Sequence, residues 1–141
     1  MAPDKEAEKA SIDSLFTAFF SALDKRDIPA LSTFVSEDML GMGTDPSEKF
    51  TKQQMVEIWQ SMLADSTLEI RHAGDMDIKF TDEGNSAIVV EQYKMPQFTP
   101  HIPWRTVYVL EKREGKWIIT FYSTAFIPRN EDIPKLNKAL E

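Results

Sequence analysis

The chain has 141 residues, enough for one domain of ordinary size with little left for a second. Apolar residues make up 42%, with three Trp, three Tyr and nine Phe, a balance that supplies a sizeable core and excludes a disordered or fibrous chain. A net charge of −7 without a basic stripe argues against nucleic acid and anionic membrane as partners, and the absence of cysteine removes disulfides, thiolate zinc sites and a cysteine nucleophile.

The opening Met1-Ala2-Pro3-Asp4-Lys5-Glu6 carries charges where an export signal has its apolar core. No later run approaches the roughly 20 apolar residues of a membrane span, so a cytoplasmic protein is expected. From Ala7 to Leu23, residues Ile12, Leu15, Phe16, Phe19, Phe20 and Leu23 recur at spacings of three and four, which predicts an amphipathic helix. Asp24-Lys25-Arg26-Asp27 ends it. Asp27 then caps a shorter helix, Pro29 to Val35, with proline in its first turn. Glu37 to Thr44 contains Gly41 and Gly43, which suit a close backbone approach or a bulge better than a long strand. Thr51 caps a third helix, Lys52 to Ala64, with Met55, Ile58, Trp59, Met62 and Leu63 on one face.

From Thr67 the apolar pattern changes to a period of two. It predicts strands over Leu68 to His72, Met76 to Phe80, Ser86 to Met95, Trp104 to Lys112 and Lys116 to Ile127. Asp82-Glu83-Gly84-Asn85 and Arg113-Glu114-Gly115-Lys116 are tight hairpin turns, so sequential strands should pair antiparallel. Pro96, Pro100 and Pro103 make Gln97 to Pro103 an irregular connection. Arg129 to Leu140 forms a last short helix or a frayed tail. The expected fold class is α+β, N-terminal helices packed on a curved antiparallel sheet as a cone, in a single domain over 1–141 with its core at about 7–127.

Both faces of the predicted strands are partly apolar. Ala87, Val89, Glu91 and Tyr93 share one face of their strand; Trp117, Ile119, Phe121, Ser123 and Ala125 share one face of the last. A sheet covered on one side only would be polar on the other, so a homodimer through the outer face is expected.

Gly43-Thr44-Asp45-Pro46 before the third helix, and Arg105 with Leu110 running into Gly115-x-Trp117, are similar to the SnoaL-like branch of the nuclear transport factor 2-like superfamily. The resemblance spans about Ala7 to Ile127 and implies a cystatin-like roll, a cone whose sheet and helices enclose a pocket. Some members of that superfamily are isomerases, dehydratases or cyclases, and others only bind or dimerise. Where the family pattern has a His-x-Ser step after the tryptophan, this chain has Ser123 and Ala125.

Within such a cone, Glu91 and Arg105 on neighbouring strands would form an ion pair able to orient a carboxylate or carbonyl ligand, or else serve as a structural pair. His72 is the histidine set in a strand, either structural or a general base near neutral pH. Asp45, held extended by Pro46, either presents a carboxylate at the pocket mouth or caps a turn. Tyr93 and Tyr122 sit at opposite strand parities, which predicts that only one, Tyr93, faces the pocket. Trp59, Met42, Met55, Met62, Phe20 and Phe121 form either an apolar lining or plain core, and Ser123 joins the Phe121 face. His101 lies in the proline-rich connection, too far from His72 for an ordinary metal pair. No glycine-rich phosphate loop, serine elbow or paired acidic run appears, so neither cofactor nor metal is implied. Two functions fit: a dimeric binder of a small hydrophobic or carbonyl- or carboxylate-bearing molecule, or a cofactor-independent isomerase, dehydratase or cyclase using His72 or Asp45 as base.

Overall fold

The structure, a computed structural model, describes residues 4–141, so the first three residues of the charged N-terminal stretch lie outside the described residues. Helix α1 spans Lys5–Asp24, and the Asp4 side chain caps it by accepting from the Glu6 and Ala7 amides. Its stripe buries Ile12, Phe16 and Phe19. Asp27 caps α2 (Ile28–Thr33) by accepting from Ala30 N, with Pro29 in the first turn as expected. Helix α3 (Lys52–Met62) begins with a full capping box: Thr51 accepts from Gln54 N, and the Gln54 side chain accepts from Thr51 N.

Strand β1 is Val35–Met42 and β2 is Lys49–Phe50; then come β3 (Arg71–His72), β4 (Asp77–Thr81), β5 (Ser86–Lys94), β6 (Trp104–Arg113) and β7 (Lys116–Phe126). Five of the seven strands follow the expected order; the other two, β1 and β2, precede them, and β1 is an eight-residue strand where Gly41 and Gly43 argue against a long one. Helix α4, Ile133–Ala139, closes the chain. The strand expected over Leu68 to His72 shrinks to its last two residues, because the stretch before it turns at Asp65, whose carboxylate accepts from Thr67 N and Oγ1. The sheet runs β2-β1-β7-β6-β5-β3, with β4 also paired to β5. Strands β4 to β7 form the expected antiparallel meander, and the β6–β7 turn has positive φ at both Glu114 and Gly115, the form that matches strand twist.

The sheet is mixed and not wholly antiparallel: β1 lies parallel to β7. A pairing between strands so far apart in sequence leaves no turn signature to read. At this seam Gly41 serves as the close approach its residue type suggested, since a Cβ there would lie 2.2 Å from Tyr122 Cε1.

A second irregularity decides which side chains face inward. Leu110 pairs with Ile119 but Val109 pairs with Phe121, so Thr120 is an extra residue, a β-bulge in β7. Before the bulge Trp117 and Ile119 face the core; after it the inward set becomes Tyr122, Thr124 and Phe126. The inner face is therefore built of cross-strand rows: Ala87–Leu110–Ile119, Val89–Tyr108–Tyr122, Glu91–Thr106–Thr124 and Tyr93–Trp104–Phe126. The first row is fully buried, and Phe16 of α1 packs edge-on against Tyr108 of the second at 4.9 Å. Burying a side chain such as Phe16 contributes about 1.5–3 kcal/mol. At the far edge of α1, Glu8 accepts from Lys112 Nζ at 2.5 Å and Trp117 Nε1 at 2.6 Å, which holds the helix to the last hairpin. These bonds keep the Glu8 carboxyl below the usual carboxylate range.

Candidate functional site

The rows beyond Tyr108 are not filled by α1 and open into a cavity of ≈760 Å³. Phe19 and Leu23 of α1 and Met55, Trp59 and Met62 of α3 form one wall; Val35 and Met39 of β1 form part of another. The sheet contributes Glu91, Tyr93, Thr106, Tyr108, Tyr122 and Thr124. Phe98, Trp104 and Phe126 stand together at the open end, with Trp104 edge-on to Phe126 at 4.9 Å.

The polar groups concentrate in one row. Tyr108 OH donates to Glu91 Oε1 at 3.0 Å, and the His72 Nδ1 lies 3.4 Å from Glu91 Oε2. That second contact is an ion-pair distance outside hydrogen-bond geometry, so Oε2 keeps no hydrogen-bond partner among the described residues although Glu91 is only 7% exposed. A neutral chain runs alongside, with Tyr93 OH 2.8 Å from Thr106 Oγ1 and Thr106 Oγ1 3.0 Å from Thr124 Oγ1. Burial, reinforced by the Glu91 charge, pushes the Tyr108 phenol well above its ordinary value, so it remains a donor. Burial likewise raises Tyr93 and Tyr122. The contact with Glu91 raises His72 above 6.5, against the opposing effect of partial burial. The imidazole is clasped from the other side by the Phe20 ring, 4.2 Å away between centroids.

Of the residues singled out from sequence, Met55, Trp59, Met62, His72, Glu91 and Tyr93 line this cavity, and Phe20 touches it through His72. The remainder lie elsewhere. Arg105 is exposed on the outer face opposite Gln92, because the register sets Glu91 against Thr106; the expected Glu91–Arg105 pair does not form. Phe121 and Ser123 are turned outward by the Thr120 bulge, and Tyr122 shares the cavity with Tyr93 against expectation. Met42, the Cα partner of Ser123, is not among the lining residues. Asp45 sits in an exposed turn, where its carboxylate accepts from Ser47 N at 2.9 Å and Ser47 Oγ at 2.5 Å. Those bonds hold its carboxyl below the usual range. Its neighbours Thr44 and Glu48 line the cavity instead.

Sequence reading passed over Thr106, Tyr108 and Thr124. The signal for the first two was present: Trp104, Thr106, Tyr108 and Leu110 alternate along β6 and face the Glu91 side once register is known. Thr124 needed the bulge as well. Among the described residues no group of three or more His, Asp or Glu is placed to hold a metal ion, and no helix is long and apolar enough to cross a membrane.

Helices closing one face of a curved mixed sheet around an apolar cavity define the nuclear transport factor 2-like class of α+β protein. Residues 12–128 match the model of the SnoaL-like domain, and the chain belongs to that family. Among solved structures it is similar to a domain of unknown function with a cystatin-like fold from Nostoc punctiforme PCC 73102, at a TM-score of 0.74 and 16% identity over 94% of this chain and 85% of that one. It is also similar to a nuclear transport factor 2-like protein of unknown function from Pseudomonas putida KT2440, at a TM-score of 0.70 and 15% identity over 86% and 87%. A nuclear transport factor 2-like protein from Cytophaga hutchinsonii ATCC 33406 gives 0.66 and 17% over 84% and 98%. At such identities the likeness is one of fold. A comparison with curated proteins gives no match.

Proposed function

We propose that the protein binds a small, predominantly apolar molecule inside the cone. The observation that carries this reading is the cavity of ≈760 Å³, walled by aromatic and aliphatic side chains and furnished with one cluster of converging polar groups, the usual composition of a small-molecule site. The test is titration with N-phenylnaphthylamine, an uncharged fluorophore that brightens in apolar surroundings. Saturable binding of one probe per chain is expected, and Thr124→Trp, which fills the cavity from its sheet wall, should abolish it. A protein that leaves the probe dark has no such site.

A second reading, general acid–base catalysis on a carbonyl compound, is favoured by the His72–Glu91 pair, which places a proton-accepting dyad at the wall of the same cavity as the Tyr122 hydroxyl. Under it, Glu91→Gln would abolish turnover while leaving probe binding intact.

In the same functional unit a second copy covers the outer sheet face. Leu40, Phe121, Val109 and Ile88 form one apolar row across four strands, and Leu40 is 43% exposed. Along β6 the outward residues run Arg105, Val107, Val109, Glu111. A two-fold axis lying in the interface and crossing β6 between Val107 and Val109 sets Arg105 of one copy over Glu111 of the other, so the face is complementary to itself in charge as well as in apolar surface.

A further inference from the structure

We propose that the ligand is a protonated amine whose ammonium group binds Glu91 Oε2 while its apolar body lies among the aromatic rings of the cone. The inference rests on the reading of the cavity as a ligand site and adds the charge of what enters it. Three features of different origin point to a cation.

The first is the unsatisfied acceptor. Glu91 is buried inside the cavity wall, its Oε1 is taken by Tyr108, and its Oε2 has no hydrogen-bond partner among the described residues. A carboxylate oxygen can only accept, so the complementary group is a donor, and an ionised donor forms a bond roughly twice as strong as a neutral one.

The second is the sign of the lining. Glu48, Asp65 and Glu91 are the acidic residues of the lining, and among the described residues His72 is the single basic residue in the wall; no Lys or Arg takes part. Arg105, the residue that would have received a carboxylate, faces away on the other side of the sheet. An anionic ligand would add a further negative charge to a site with low-dielectric walls, where like charges repel most strongly.

The third is the character of the walls. On the inner face Tyr93 follows Glu91 two residues along β5, while Tyr108 and Trp104 flank its cross-strand partner Thr106 on β6. Neighbours so placed on one sheet face lie within reach of a group held at the carboxylate. Aromatic faces within about 6 Å attract a cation and offer a neutral alcohol no comparable gain.

His72 competes for the same oxygen. It is packed between Phe20 of α1 and Glu91 of β5, with Asp24 of α1 also acting on its charge. The ammonium group therefore binds best when the imidazole is neutral.

The experiment is displacement of N-phenylnaphthylamine from the wild-type protein by three probes that share a phenethyl body: phenethylamine, phenethyl alcohol and hydrocinnamate. The amine should displace at a concentration about tenfold or more below the alcohol, and the acid should be weakest. Glu91→Gln, nearly identical in shape, should bring the amine and alcohol to the same midpoint while the fluorophore still binds. An alcohol or acid that matches the amine on the wild-type protein overturns the inference without recourse to any variant. So does an amine preference that survives in a folded Glu91→Gln protein. If the fluorophore itself fails to bind, it is the ligand-site reading that falls.

Discussion

His72 Nδ1 stands 3.4 Å from Glu91 Oε2, and this pair joins a half-exposed group on the two-residue strand β3 to a buried one on its neighbour. The imidazole side chain is 39% exposed, so protons reach the pair from solvent through His72.

Stability should follow the titration of His72. Glu91 raises the imidazole above its ordinary value of 6.5, so the folded state holds the proton more tightly than the unfolded chain. The stabilisation is fully present below 6.5 and is lost as pH rises through the higher folded value. Thermal midpoints measured across that window should fall with rising pH, and His72→Gln should flatten the slope. An equal slope in the variant would assign the effect to other groups.

The two phenols beside Glu91 should differ in what their hydroxyls contribute. Tyr108→Phe removes the donor to a buried carboxylate and strands a second oxygen, at a cost of about 1.5–3 kcal/mol. Tyr93→Phe breaks a neutral bond to Thr106, which retains Thr124 as partner, at about 0.5–1.5 kcal/mol. Urea denaturation of both variants checks the order, and a Tyr93 variant weaker than the Tyr108 one would contradict it.

Much of this frame was legible in the sequence. The stripe Ile12-Phe16-Phe19, the caps Asp27 and Thr51, and the turn Glu114-Gly115 are local signals, and each element stands within a few residues of where they put it. The alternation of β5 was equally plain, because Ala87, Val89, Glu91 and Tyr93 share one face without interruption, but with both faces partly apolar the sequence did not say which one turns inward. What failed depended on register. Arg105 belongs on the outer face only because Glu91 meets Thr106, and a shift of one residue in that pairing would have made the Glu91–Arg105 pair. Phe121 and Ser123 exchanged faces with Tyr122 and Thr124 because one residue, Thr120, is bulged, and nothing in Ile118-Ile119-Thr120-Phe121 announces it. The parallel β1–β7 seam is a pairing between ends of the chain, beyond the reach of any local pattern.

That seam makes Gly41 a sensitive position. A methyl group there would meet the Tyr122 ring at 2.2 Å, and the ring is itself part of the cavity wall. Gly41→Ala should therefore push Tyr122 into the cavity, cost about 1–3 kcal/mol in stability and weaken binding of the fluorophore. The joint loss is the signature, read from denaturation and titration of the same sample. Lost stability with unchanged binding would mean that the ring moves outward.

The outer face supplies the remaining test. Val109 lies within its apolar row, between Ile88 and Phe121, and the proposed two-fold axis sets it over Val107 of the second copy. Val109→Glu places a charge where two apolar sheets would meet, and like charges from both copies would be buried together. Sedimentation velocity should show the wild-type chain as a dimer and the variant as a folded monomer that still takes up N-phenylnaphthylamine, since the cavity lies on the opposite face of the sheet. A wild-type chain that sediments as a monomer removes the second copy from the functional unit. A variant that stays dimeric moves the interface away from Val109, and one that loses the probe while remaining folded ties the cavity to the dimer more closely than the separate faces of the sheet imply.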